Sequence, residues 1–184
     1  MLVTHSAEGL DANHIPFEFE PALGVHGTLQ GHVARANPIW QEFPDGAEVM
    51  VVFRGPQAYV SPSWYPSKHE THRQVPTWNY EVVHAHGRLR IVDDEKFARR
   101  IVARLTLQHE ASEPTPWKMA DAPREFLDQM LTMIVGIEVE ITRLEGKRKL
   151  SQNKDARDRK GAAQSLADRG QQAMAAAIKG TIAE

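Results

Sequence analysis

From Ile137 to Thr142 apolar and polar residues alternate without a break, with Ile137, Val139 and Ile141 on one side and Glu138, Glu140 and Thr142 on the other. Period-two alternation marks a half-buried β-strand and does not suit a helix, whose apolar face returns about every 3.6 residues. Strand-like runs recur along the chain. Met1-Leu2-Val3-Thr4 reads as the inside of a strand, which puts the expected beginning of the domain upstream of Met1. Leu10 to Glu20 reads as a second strand, with Ile15, Phe17 and Phe19 on one face and Pro16 marking an edge or bulge. Leu29 to Ala34 makes a third, stopped by Arg35-Ala36-Asn37-Pro38, and Ile39 to Phe43 supplies a short helical turn. Asp45-Gly46 turns into a strand over Glu48–Phe53, which Gly55-Pro56 breaks. Val82 to Val92 holds a pair of short strands or one bent strand, with Gly87 at the bend.

Two stretches carry the helical period instead. Asp93 or Asp94 caps a helix reaching about His109, with Phe97, Ile101 and Leu105 stacked along it. Asp121 with Pro123 opens another, striped by Phe126, Met130, Leu131 and Ile134 and ended by Gly136. Asp155 to Ile182 is rich in Ala and charge, and reads as helical with breaks at Gly161 and Gly170. Its few large apolar side chains assign it to the surface or to a partner. Six or seven strands with two inserted helices predict an α+β fold, mainly β, of barrel type. The expected division is a body over 1–154 and a helical C-terminal tail over 155–184.

Composition excludes several classes. The 184 residues include no cysteine, so disulfides, thiolate metal sites and a cysteine nucleophile are out. No apolar run approaches the ~18 residues of a membrane span, and Met1-Leu2-Val3-Thr4 lacks the marks of a signal peptide. A cytoplasmic location is expected. The formal charge of −2 argues against generic nucleic-acid binding. That charge is uneven: Arg143 to Lys160 has eight Lys/Arg against three Asp/Glu, so this segment carries +5 and the remaining 14 basic and 21 acidic residues −7. A basic segment on an acidic body suits a phosphate-bearing ligand, a nucleic acid, an acidic partner face, or simply a solvated surface.

The candidate chemistry gathers in a few places. Phe53 to Tyr80 holds all three tyrosines, two of the four tryptophans and four of the eleven prolines. Such aromatics either hold a planar ligand or pack on one another. Within the stretch, Thr77-Trp78-Asn79 offers a hydroxyl, an indole face and an amide, and Ser61 and Trp64 offer the same chemistry from the far side. Arg35 and Asn37 leave a strand with a cation, an amide and backbone N–H groups, a set that can hold a phosphate. Lys147 to Gln152 adds three cations, a hydroxyl and an amide. His84 and His86 share a strand face, but no third metal ligand is evident near them, and His69-Glu70-Thr71-His72 is one residue short of the zinc-protease spacing. No Walker A loop, nucleophile elbow, Rossmann fingerprint or helix-turn-helix is present.

The ordered series ANHIPF (12–17), GHVARANPIW (31–40), FRGPQAYVSPSWY (53–65), VPTWNYEVVHAHG (75–87) and IVGIEVEITRLEGKRKLSQN (134–153) resembles the FMN-binding negative transcriptional regulator family. The resemblance extends over about residues 1–166, and GPQAYVSPSWY with VPTWNY is its most specific part. It implies the FMN-binding split β-barrel shared with pyridoxamine-phosphate oxidase and flavin reductase-like proteins, a homodimer, and FMN in a cleft between subunits. By that analogy Arg35 and Asn37 hold the FMN phosphate with Asn13 near the flavin. Thr77, Trp78 and Asn79 lie along the ring system. Lys149, Ser151 and Gln152 reach the cofactor late in the chain. The implied function is negative transcriptional regulation, with DNA contacted directly or indirectly. The alternative is an FMN-dependent oxidoreductase, a reductase or oxidase acting on a small substrate beside Trp64, Tyr65 and His86.

Overall fold

A computed structural model describes residues 1–182. Its seven strands are β1 (Leu2–Ser6), β2 (Gly9–Asn13), β3 (Glu18–Glu20), β4 (Thr28–Ala34), β5 (Glu48–Val60), β6 (Thr77–Val92) and β7 (Ile134–Lys149). They form a sheet in the order β2-β1-β5-β6-β7-β4-β3, and the pairs β1–β2, β1–β5, β3–β4 and β4–β7 are antiparallel. Six helices intervene: α1 (Ile39–Glu42), α2 (Pro66–Thr71), α3 (Glu95–Glu110), α4 (Arg124–Thr132), α5 (Ala156–Ala167) and α6 (Gln172–Lys179). No helix among the described residues is long and apolar enough to cross a membrane. The chain divides into two compact units, one of Met1–Val52 with His84–Leu144, the other of Phe53–Val83 with the residues from Glu145 onward.

In the first unit the alternation of β7 sets the core. Val135, Ile137, Val139 and Ile141 all point inward and are buried. The register against β4 sets Leu29 opposite Val139 and Val33 opposite Val135, so both strands present their apolar side chains to the same core. Each such side chain taken from water contributes about 1.5–3 kcal/mol. On the opposite face Gln30 Nε2 donates to Glu138 Oε1 at 2.7 Å, and Arg90 Nε pairs with Glu138 Oε2 at 3.0 Å. Asp94 caps α3 by accepting from the Phe97 N–H at 2.7 Å, and Phe97 and Ile101 are the buried face of that helix.

In the second unit α5 and α6 supply a separate core. Ala162, Ala163, Leu166, Met174, Ala175 and Ile178 pack with Ala58, Val60, Tyr65 and Leu150. The tail is therefore not peripheral as its composition suggested. Small side chains let these helices pack closely, and Ala buries well without bulk. Gly161 does not break α5, which runs through it. A Cβ there would lie 2.8 Å from the Pro66 Cδ, so glycine serves close packing. Gly170, at φ +78°, does end the helical run between α5 and α6.

Several punctuation residues act differently from expectation. Leu10–Glu20 is two strands, because β2 pairs with β1 and β3 with β4 while residues 14–17 cross between them. A Cβ on Gly31 would sit 3.0 Å from the Pro16 carbonyl oxygen, so this crossing lies directly on β4. Gly55-Pro56 does not break β5. The β1 partner residues end at Met50 and Val51, so Pro56 occupies a stretch where that neighbour asks for no N–H. Gly87 is not a bend but the interior of β6, where a Cβ would collide with the Glu140 carbonyl oxygen and the Val139 side chain. Gly136 does not end a helix either. It sits inside β7 under the Phe97 ring, and Ile134 begins that strand rather than closing the stripe of α4.

Gly87→Ala is expected to cost about 1–3 kcal/mol by overpacking against backbone that has no rotamer with which to yield. A lower urea midpoint in the variant, at unchanged slope, is the measurement that checks it.

Candidate functional site

Five of the expected residues meet in one cleft of the second unit. Thr77 and Asn79 come from the start of β6, Lys149 from the end of β7, and Ser151 and Gln152 from the turn that follows. The cleft measures about 150 Å³. The turn arises because Leu150 is drawn into the core and Ser151 takes a left-handed conformation, φ 60°. That conformation costs a non-glycine residue about 1–3 kcal/mol and persists only where surrounding bonds enforce it. Here they do. Asn79 Nδ2 donates to Ser151 Oγ at 2.9 Å, and the Tyr65 hydroxyl lies 3.0 Å from the same oxygen. Asn79 and Tyr65 are fully buried and Ser151 nearly so. Burial also pushes the Tyr65 phenol above its ordinary pKa, so it stays a neutral hydrogen-bonding group. Gln152 folds back on the turn, accepting from the Leu150 N–H at 2.7 Å and donating to the Arg148 carbonyl at 2.8 Å.

The other aromatic-stretch candidates lie elsewhere in the unit. Ser61 caps a 3₁₀ turn over Pro62–Trp64, accepting from the Ser63 N–H at 3.3 Å. Trp64 packs against the second core, edge-on to Tyr59 and beneath the Arg169 guanidinium at 4.7 Å. Trp78 lies between Thr77 and Asn79 in sequence, so strand alternation turns it to the opposite face. There it is half exposed and donates to Gln57 Oε1 at 3.4 Å.

The remaining three candidates belong to the first unit. Asn37 Nδ2 donates to Asn13 Oδ1 at 2.6 Å, while Asn37 Oδ1 accepts the Ile39 N–H at 3.0 Å and so starts α1. Arg35 is held as a clamp. Its Nη1 and Nη2 grip Asp93 at 2.9 and 2.5 Å, Nε donates to the Thr132 carbonyl at 2.7 Å, and Nη2 reaches the Ile134 carbonyl at 3.2 Å. The guanidinium also lies 5.3 Å from the Trp40 ring centre. The hydrogen bonds from Arg35 hold the Asp93 carboxyl below the usual carboxylate range. As it stands, Arg35 is already neutralised and most of its donors are engaged.

Residues 1–143 match the family model described as "Putative FMN-binding domain". An uncharacterized protein of Aspergillus fumigatus is 33% identical, covering 83% of this chain and 74% of its own. The protease synthase and sporulation protein PAI 2 of Bacillus subtilis is 32% identical over 147 residues, 80% of this chain and 68% of its own. Among solved structures, the FAD and heme binding protein from Mycobacterium smegmatis superposes with a TM-score of 0.56 at 13% identity, over 80% of this chain and 63% of its own. At that identity the likeness is one of fold, and the fold is the split β-barrel of the α+β class.

Two variants probe the two groups of residues. Asn79→Ala leaves the buried Ser151 hydroxyl without its amide partner and should cost about 1–3 kcal/mol, read as a lower melting temperature. Asp93→Asn should lower the melting temperature at neutral pH. The folded pKa of Asp93 is depressed, so its contribution is complete above the ordinary value of about 3.9 and fades as pH falls through the lowered one. The gap between variant and parent should therefore narrow at pH ~3, and a gap independent of pH would remove the charged pair from the account.

Proposed function

The chain belongs to the FMN-binding domain family, and from that membership we propose that it is an FMN-binding negative transcriptional regulator working as a homodimer. The cleft at Thr77, Asn79, Lys149 and Ser151 carries the flavin half of this reading. FMN presents a phosphomonoester of nearly two negative charges and a flat ring system with polar edges. The cleft answers with two lysines, hydroxyls and amides, and no carboxylate lines it. Its residues thus fit the phosphate end of the cofactor.

Size fits the rest of the reading. Pockets that bury a whole ligand of this class run to about 300–1,000 Å³, and this cleft holds about 150 Å³. One chain offers the phosphate end alone, and a second copy supplies the wall for the ring. When bound, the flavin supplies a reversible electron acceptor, while the protein supplies orientation and electrostatics. Asn79, Ser151 and Tyr65 keep the turn rigid, so Lys149 and the turn's backbone are presented in a fixed arrangement. The regulatory half is supported by the Bacillus subtilis relative, named as a protease synthase and sporulation protein.

Titration of the purified protein with FMN, followed by flavin fluorescence and by sedimentation, tests the reading. Saturable binding at micromolar FMN with a dimer in the ultracentrifuge is the expected result. A concentration-independent monomer that binds FMN at full affinity would end the shared-cleft account. Rapid NAD(P)H oxidation without any effect on transcription of a reporter would instead favour the oxidoreductase.

A further inference from the structure

Lys154 lines the same cleft, and neither the aromatic motifs nor the strand ends draw attention to it. We infer that Lys154 is the cation that reads the phosphomonoester of the flavin, held in place by Gln74 and Asp158 as positioning residues. This inference rests on the FMN reading above.

The geometry begins at a buried carboxylate. Asp158, on α5, is 2% exposed and accepts from the Ser67 N–H at 3.0 Å, the Ser67 hydroxyl at 2.5 Å and Gln74 Nε2 at 3.1 Å. Gln74 Nε2 also donates to Ser67 Oγ at 2.7 Å. With its nitrogen committed to two acceptors, the amide must turn its oxygen the other way. That oxygen accepts from Lys154 Nζ at 2.6 Å. The ammonium also lies 5.5 Å from the Tyr65 ring centre, a cation–π contact.

The intervening amide matters. A lysine bonded directly to Asp158 would be oriented but also neutralised. Through Gln74 it is oriented by a neutral dipole, so its charge remains available, and an ammonium has three donors of which Gln74 takes one. Lys149 lines the same cleft, is exposed, and has no hydrogen-bond or ion-pair partner among the described residues. Two cations with spare donors converge where no carboxylate lines the wall, which is what a dianionic phosphate requires. Arg35 contrasts with both, since Asp93 already supplies its counter-charge.

Comparison of FMN with riboflavin, which differs only by the phosphate, tests this by fluorescence titration of the full chain and of Lys154→Met, Lys154→Arg and Gln74→Met. The parent should bind FMN at least about tenfold more tightly than riboflavin. Lys154→Met should lose most of that preference with riboflavin affinity unchanged. Lys154→Arg should keep it, and Gln74→Met should lose part of it, a pattern that a merely structural role would not produce. Equal affinity of the parent for the two flavins, or an undiminished ratio in Lys154→Met, overturns the assignment while leaving FMN binding intact. Failure of the parent to bind either flavin is a different result, and it takes the FMN reading down with it. Should Lys154→Met not fold, the ratio in Gln74→Met decides.

Discussion

The approach of β6 to β7 in the first unit admits no side chain at Gly87, because the Glu140 carbonyl oxygen occupies the space where a Cβ would stand. Much of that unit follows from this contact. Strand register is a two-valued choice, since a slip of one residue would send Val135, Ile137, Val139 and Ile141 outward and Glu138 inward. A glycine that fits at only one position against its neighbour removes the choice. With β7 so placed, the β4 register sets Gln30 beside Glu138, and the buried carboxylate finds both the amide and Arg90. A buried charge without those partners would be strongly unfavourable.

Legibility in the sequence followed the periodicity and failed at the punctuation. Alternation in Ile137–Thr142 and the 3.6-residue stripe of Phe97 and Ile101 each reported a real element, because burial acts on side chains at the period of the backbone. Gly and Pro are ambiguous by nature. The same glycine serves a turn that needs positive φ, as Gly170 does, or a close approach that needs no Cβ, as Gly87, Gly136 and Gly161 do. Only the identity of the neighbour separates the two cases, and that neighbour is distant in sequence. Pro56 has the same character, being harmless in β5 where β1 no longer pairs beside it.

The candidate site divides along a similar line. Thr77, Asn79, Lys149, Ser151 and Gln152 meet in one cleft, and their polar residue types gave a usable signal. What the sequence withheld was how each group is already spent. Arg35 reads as an open phosphate ligand until Asp93, 58 residues away, is found against it. Trp78 reads as part of a trio until strand alternation separates it from Thr77 and Asn79. Gln74 and Asp158 are 84 residues apart, and no local pattern joins them.

The same consideration bears on the basic segment Arg143–Lys160 as a footprint for DNA. Duplex binding draws on cations that can exchange condensed counterions, and a cation already held by a carboxylate contributes little to that release. Arg148 is paired with Glu81 at 2.5 Å and Arg157 with Glu70 at 2.6 Å. Arg159 donates to the Thr181 hydroxyl at 3.0 Å, and Lys154 is oriented by Gln74 toward a cleft. At least two of the eight cations are thus already held by carboxylates, so a run that is basic in sequence is not a uniformly basic surface.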